Sequence, residues 1–284
     1  GPLFSLLFLF PLSHPLPPPT REISLFKPRL RLHRGRVTRR LVTRFRKGPS
    51  VGPKPTYDDS SFLNRTFMGL FRAKMVSETG GVDSEREGYE GIIDLTLNRL
   101  ANNKERYANA RAIQNGSQRI LRSLFPKWLL PAFRAMFARP APVLSGRMIA
   151  FVTALSCEWL MGPCEVNNLN LTQSDSPSQN LPSEGLGVHI KRCRYLEESG
   201  CISVCINCCK IPTQRFFGED MGVPTTITPN YDDFSCQFDF TKKPMSEDKD
   251  PAFNVECYEM CPTKRRHGLD NTCDGSRTDS DNVP

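Results

Sequence analysis

Hydrophobic positions recur at helical spacing through the first half of the chain's body and give way to short alternating runs in the second. Tyr89, Ile92, Ile93, Leu97 and Leu100 follow the start signal Asp83, Ser84, Glu85. They predict an amphipathic helix that ends near Asn102 and Asn103. A second helix is predicted over residues 105–124, with Ala108, Ile113, Ile120, Leu121 and Leu124 inward. Pro126 suits a first helical turn. Trp128, Leu129, Leu130, Phe133, Met136 and Phe137 follow as core positions of a helix that Pro131 makes irregular. Residues 145–161 are apolar all round, with Glu158 the one charge after Arg147. Such a helix is either central in a core or lies against lipid, and its length and internal charge argue against a full membrane span. The two aromatic-rich helices therefore either pack as ordinary core, line a long apolar tunnel, or dock on a membrane surface.

Residues 167–184 are rich in Asn, Ser and Pro and read as a surface loop. Beyond it, residues 188–195 alternate enough to predict a short strand carrying His189 and Cys193. Residues 201–217 read as helical with a break at Pro212, and residues 234–240 as a strand holding Cys236. The expected fold class is α+β, a mainly helical N-terminal half packed with a cysteine-rich C-terminal part containing short strands. The expected organisation is a leader over residues 1–56, one domain over 57–273 and a polar, disordered tail over 274–284. Within that domain come a helical part 57–165, a loop 166–185 and a cysteine-rich part 186–273.

Charge changes the reading of the first residues. The chain of 284 residues carries a net +8, but residues 1–57 hold nine Arg and three Lys against the single acid Glu22, a net +11. The remainder has 26 basic and 29 acidic residues, a net −3. The body thus lacks the basic face expected of a nucleic-acid-binding protein, and no nucleic-acid partner is expected. The leader opens with an apolar stretch over residues 3–10, continues through a Pro-rich segment, and then becomes arginine-rich and acid-poor. Its charges follow the apolar run, which resembles an organellar transit peptide more than a secretory signal.

The eleven cysteines all lie between Cys157 and Cys273. An odd count, absent from more than half of a chain long enough to build a core, argues against a disulfide scaffold. Cys201, Cys205, Cys208 and Cys209 would share an arc of roughly 100° on an α-helix and could offer several thiolates to one metal centre. The spacing of Cys201, Cys205 and Cys208 formally matches the cluster loop of radical enzymes that cleave S-adenosylmethionine, but the chain that follows is too short for their barrel. Zinc favours paired short-spaced cysteines, and the strict C-x2-C pair is Cys205 and Cys208. Iron tolerates more varied spacing, so composition leaves iron and zinc both open. A thiol redox protein pairing Cys257 with Cys261, or Cys205 with Cys208, is a further alternative. His189 and His267 have no companion at a catalytic spacing, and no phosphate-binding glycine loop or nucleophile elbow occurs.

Four runs carry a resemblance: Gly162-Pro163-Cys164-Glu165-Val166; Lys191 to Glu197; Cys201 to Gln214; and Pro229-Asn230-Tyr231-Asp232-Asp233-Phe234-Ser235-Cys236. Together with Tyr57-Asp58-Asp59 and Glu87 to Asp94 upstream, they resemble the plant plastid β-carotene isomerase family. The resemblance covers most of residues 57–273. It implies a chloroplast location with the leader as transit peptide, iron as cofactor (mononuclear or iron–sulfur cluster), and a carotenoid substrate received by the apolar helices. Peripheral membrane association is compatible with it. The implied activity is interconversion of all-trans- and 9-cis-β-carotene at the C9 double bond in strigolactone biosynthesis. A plastid protein that binds metal or carotenoid without catalysis is the alternative. The metal-ligand candidates implied are a subset of Cys164, Cys193, Cys201, Cys205, Cys209, Cys236, Cys257 and Cys261. Cys157 and Cys208 stand where the family usually has another residue, and Cys273 lies where the match is weak. Phe238-Asp239-Phe240-Thr241 departs from the glycine-containing segment expected there, which points to a paralogous branch.

Overall fold

The computed structural model describes residues 47–100, 110–169 and 184–262. The first helix, α1 (Phe62–Glu78), is not among those expected, although Asp58-Asp59-Ser60-Ser61 precedes it; its N-cap residue Ser61 makes no side-chain cap bond. Its entry is instead set by Asp58, whose carboxylate accepts from the backbone N–H groups of Ser60 and Ser61 at 3.0 and 3.3 Å. Met68 and Met75, one heptad apart, are its buried positions. The helix expected from Asp83 begins later, as α2 (Gly88–Leu95), and continues in a wide π turn (Thr96–Leu100). Its predicted end near Asn103 lies outside the described residues. Helix α3 (Ala110–Ser123) buries Ile113 and Ile120 as expected, and also Gln114, Ser117 and Gln118.

Two helical expectations need correction. In α4 (Leu129–Phe133, continued by a π turn Arg134–Ala138) only Leu130 of the six expected core residues is buried, while Trp128 and Met136 stand in solvent. Pro131 is tolerated because its missing N–H falls in the first turn, where no intrahelical partner is available. The all-round apolar segment becomes α5 (Pro142–Ser156) and the short α6 (Glu158–Met161). In α5 the small residues Ser145, Gly146, Ala150 and Thr153, with Ile149, face inward. The large ones, Leu144, Phe151, Val152 and Leu155, face out. Close approach to the sheet is the reason. A Cβ on Gly146 would lie 2.6 Å from Leu186 and 2.8 Å from Thr241, so nothing larger fits.

The sheet is antiparallel with order β1-β2-β4-β3, from β1 (Cys164–Asn167), β2 (Gly187–Ile190), β3 (Thr225–Pro229) and β4 (Cys236–Phe240). The strand expected through residue 195 stops at Ile190. Cys193 instead precedes α7 (Arg194–Ser199) as its N-cap residue. Central β4 is buried throughout. By strand alternation Cys236, Phe238 and Phe240 share the apolar core face, while Gln237 and Asp239 form a polar ladder. There Gln237 exchanges amide hydrogen bonds with Asn167 at 3.0 Å each way and donates to Asp239 at 3.0 Å. β1 and β3 are not among the expected strands, although the β-branched run Thr225-Thr226-Ile227-Thr228 of β3, bounded by prolines, is a strand signal. The loop expected over residues 167–184 lies largely outside the described residues, as do the leader to residue 46, the tail, His267 and Cys273.

Helix α8 runs from Ile202 to Asp220 as Ile202–Val204, a π segment Cys205–Lys210, an α turn Ile211–Arg215 and a second π segment Phe216–Asp220. The expected break at Pro212 does not occur. The wide turn ahead of the proline shifts the hydrogen-bond ladder, which absorbs the missing N–H and the ring's clash with the preceding turn. The α+β expectation holds, with a helical N-terminal part and a small sheet of short C-terminal strands between which α7 and α8 are inserted.

A buried thiol centre and the family it belongs to

Helices α7 and α8 and strand β4 bring cysteines together that are far apart in sequence. Cys193 enters from the N-cap of α7, its backbone N–H donating to Phe234 O at 2.7 Å. Cys205 and Cys209 come from the π segment of α8, and Cys236 from the first position of β4. Burial dominates their chemistry. It pushes the Cys193 thiol up to about 11, although the N–H groups of Leu196 and Tyr195 moderate the rise. It pushes Cys209 up to about 12 and raises Cys205 and Cys236 well above the ordinary range. Each is raised further by the charge its neighbours would carry: Cys209 and Cys193 on Cys205, and Cys193, Cys205 and Cys209 on Cys236. Lys210 opposes this at Cys205, Cys209 and Cys236.

Cys157 and Cys164 border the centre. Burial raises both thiols, Cys164 feels Cys157 and Cys193, and its Sγ donates to Gly162 O at 3.0 Å. Gly162 itself has φ 86°, and a Cβ there would come within 2.7 Å of Arg192 O, so the turn that aims Cys164 requires glycine.

The four cysteines expected on one helical face separate. Cys205 and Cys209 turn to the centre. Cys208 faces Ser117 of α3 and Cys201. The Cys261 thiol approaches Cys201 Sγ at 3.7 Å. Cys257 is half-buried on the loop after a 3-10 turn (Pro251–Phe253).

Four polar side chains absent from the expected ligand set, Tyr231, Tyr258, Tyr195 and Lys210, complete the surroundings. Tyr231 Oη donates to Ala252 O at 3.3 Å and lies within reach of the Cys205 thiol, and Tyr258 Oη donates to Tyr231 O at 2.8 Å. Tyr195 Oη lies 3.0 Å from Thr96 Oγ1 and within the electrostatic reach of Cys193, Cys208 and Cys209. Lys210, only 2% exposed, donates to Asp250 Oδ2 at 2.7 Å, to Gln214 Oε1 at 3.3 Å and to Ile227 O. Gln214 Oε1 also accepts from Ile227 N–H at 2.8 Å, which pins α8 to β3.

The model of the C-terminal part of β-carotene isomerase D27-like proteins matches residues 159–249. Over 198 residues the chain is 31% identical to the chloroplastic β-carotene isomerase D27 of Medicago truncatula, spanning 69% of this chain and 71% of that protein. The chain belongs to the β-carotene isomerase D27-like family. The chloroplastic β-carotene isomerase D27 of Arabidopsis thaliana is 26% identical over 241 residues, 84% of this chain and 83% of that one. No solved structure matches the chain.

Cys164, Cys193, Cys205, Cys209 and Cys236 all fall inside the D27-like segment, as do Cys201 and Cys208; Cys257 and Cys261 lie beyond it. The upstream motifs reach the same region through Arg194. Its guanidinium is stacked 4.3 Å from the Tyr57 ring and 3.6 Å from the Tyr89 ring, and it grips Asp59 through two bonds of 2.6 and 2.7 Å. Neighbouring Arg192 donates to Val51 O at 3.1 Å, Pro53 O at 2.9 Å and Glu197. Residues 51–59 are thereby laid along α7. Only the fold pairs Arg194 with Asp59, 135 residues away in the chain.

Thiol donors from three elements suit a soft metal in kind. Among the described residues, however, no three His, Cys, Asp or Glu side chains stand close enough to hold one ion. A ligated centre would therefore need these side chains to close further. A half-open cavity of about 290 Å³, lined by Ile211, Arg215, Pro244, Asp250 and Phe253 among others, lies beside the Lys210 and Asp250 pair and is lined partly by charged groups.

Proposed function

We propose that this D27-like protein is a chloroplast carotenoid cis-trans isomerase, interconverting all-trans- and 9-cis-β-carotene at the C9 double bond as a step toward strigolactones. The observation that carries the reading is the convergence of Cys193, Cys205, Cys209 and Cys236, inside the family segment, next to helices that turn large apolar side chains to solvent. A polyene hydrocarbon has no hydrogen-bonding group, so apolar surface is what can select it.

Iron is the metal proposed for the thiol centre, held by a subset of those four cysteines. When bound, thiolate-ligated iron supplies one-electron chemistry that can temporarily lower the order of a conjugated double bond without net oxidation. The chain's own contribution begins with acidity. Buried thiols this weakly acidic stay protonated near neutral pH, so they are neither nucleophiles nor bases toward the substrate unless a cation replaces their protons. Lys210 favours the thiolate forms of Cys205, Cys209 and Cys236, and Tyr231 does the same at Cys205. The apolar packing around them excludes water from a reacting polyene. Isomerisation moves no atoms between molecules, so no general acid or base is required.

The test is anaerobic incubation of the protein, with iron quantified, against all-trans- and separately 9-cis-β-carotene, resolving the isomers by chromatography. Metal-dependent interconversion supports the proposal. Carotene retained with iron bound and no turnover would favour a binding protein, and Cys205→Ser retaining both iron and activity would sink the thiol assignment.

A further inference from the structure

The outer stripe of α5 is an unusual surface. Phe151, Val152 and Leu155 are 61%, 56% and 57% exposed, and Leu144 extends the stripe toward the N-terminal end. The adjoining α4, packed on α5 through its π turn, leaves Trp128 and Met136 58% and 59% exposed. Single exposed hydrophobics are ordinary, but a stripe at helical spacing beside exposed aromatic and thioether side chains marks a docking face.

Charge identifies what docks. Residues 124–157 contain Lys127, Arg134, Arg139 and Arg147 and no Asp or Glu, in a body whose net charge beyond residue 57 is −3. All four cations are exposed. Arg134 and Arg147 donate to the carbonyls of Glu219 and Glu184 at 2.9 Å each, and among the described residues neither has an ion pair with a carboxylate. No helix among the described residues is long and apolar enough to cross a membrane. Apolar side chains with cations and no anions along the same helices suit the headgroup boundary of an anionic lipid surface, where the rings and aliphatic chains enter the acyl region and the cations stay with the phosphates.

We propose that α4 and α5 form a peripheral membrane-docking face for anionic lipid. Cys157, directly after α5, is within electrostatic reach of Cys164 and Cys209. On the carotenoid reading above, docking would set the thiol centre at the end of a face already in lipid. The docking itself needs neither turnover nor metal.

Flotation with phosphatidylcholine vesicles, with and without phosphatidylglycerol, tests it on the whole chain. The basic leader is common to every variant, so its own attraction cancels. Phe151→Glu/Leu155→Glu should weaken partitioning to the anionic vesicles by about a hundredfold or more. Phe151→Trp should show emission that shifts to the blue and is quenched by lipids brominated on the acyl chains. Unchanged flotation of the double variant, or Phe151→Trp emission indifferent to brominated lipid, would overturn the proposal. A parent that sediments as a dimer while the double variant is monomeric would overturn it in favour of a second copy as the occupant. Should the double variant fail to fold by circular dichroism, Lys127→Glu/Arg139→Glu provides the arm. A preference for phosphatidylglycerol reduced relative to the parent would support the proposal, and one equal to the parent's would overturn it.

Discussion

The thiol centre and the α4–α5 pair invert the usual distribution of residue types. Around the centre, a lysine, an aspartate and several thiols are buried beside the half-buried Gln214, with partners from elements distant in sequence. On α5, phenylalanine, valine and leucine are exposed while Ser145, Gly146, Ile149, Ala150 and Thr153 face inward, Gly146 lying closest to the sheet. Burial here follows the supply of partners and space more than hydrophobicity. A polar group goes inside where its hydrogen bonds are met, and a large apolar one stays outside where the backbone must approach closely.

The contrast is sharpest at Lys210. Lys210→Met should cost about 3–5 kcal/mol in denaturant unfolding, because Asp250 is left charged and buried without its cation. Lys210→Met/Asp250→Asn should recover much of that loss. If the single variant were near neutral, the inward polar groups would be incidental to stability.

The second effect is alkaline and belongs to the metal-free protein. The Cys193 thiol is held near 11 in the fold against an ordinary value of 9.0. Between those pH values the unfolded chain loses the proton and the native one keeps it, so the unfolded state binds fewer protons and stability falls as pH rises. Cys193 should contribute a decline of about 2–3 kcal/mol across that window. The pH slope of unfolding, measured beside Cys193→Ala, should be flatter in the variant, and equal slopes would remove Cys193 as its source.

Arg194→Lys should destabilise by about 2 kcal/mol, since an ammonium reproduces neither the paired bonds to Asp59 nor the stack between two tyrosines. Thermal unfolding reads the loss, and faster proteolysis near residue 57 should accompany it. The smallest change is expected outside. Phe151→Glu/Leu155→Glu should leave the unfolding free energy within about 0.5 kcal/mol of the parent while removing the vesicle affinity. A large destabilisation would mean that the stripe packs on something within the chain.

Sequence reasoning found what is local. Ile92, Ile113 and Ile120 were legible as inward positions because a helix's period is written in consecutive residues, and the C-terminal strand holding Cys236 because alternation is equally local. It misplaced Cys193 on a strand, since a residue ending one extended run and capping the next helix has extended backbone in either case. It missed α1, whose apolar residues form no clean stripe. It read six core residues where α4 buries one, because periodicity shows that a face is apolar and does not say whether anything covers it.

By itself the sequence determined the α+β class, the position of most helices, the confinement of cysteine to the second half and, through ordered motifs, the family. Only the tertiary structure decided which thiols meet. It left Cys201 on extended backbone ahead of the helix, turned Cys208 toward Ser117, and brought Cys193 and Cys236 to Cys205 and Cys209 across long stretches of chain. It also turned α5 small side inward. These outcomes depend on packing between elements distant in sequence, and no local period records which face meets which neighbour.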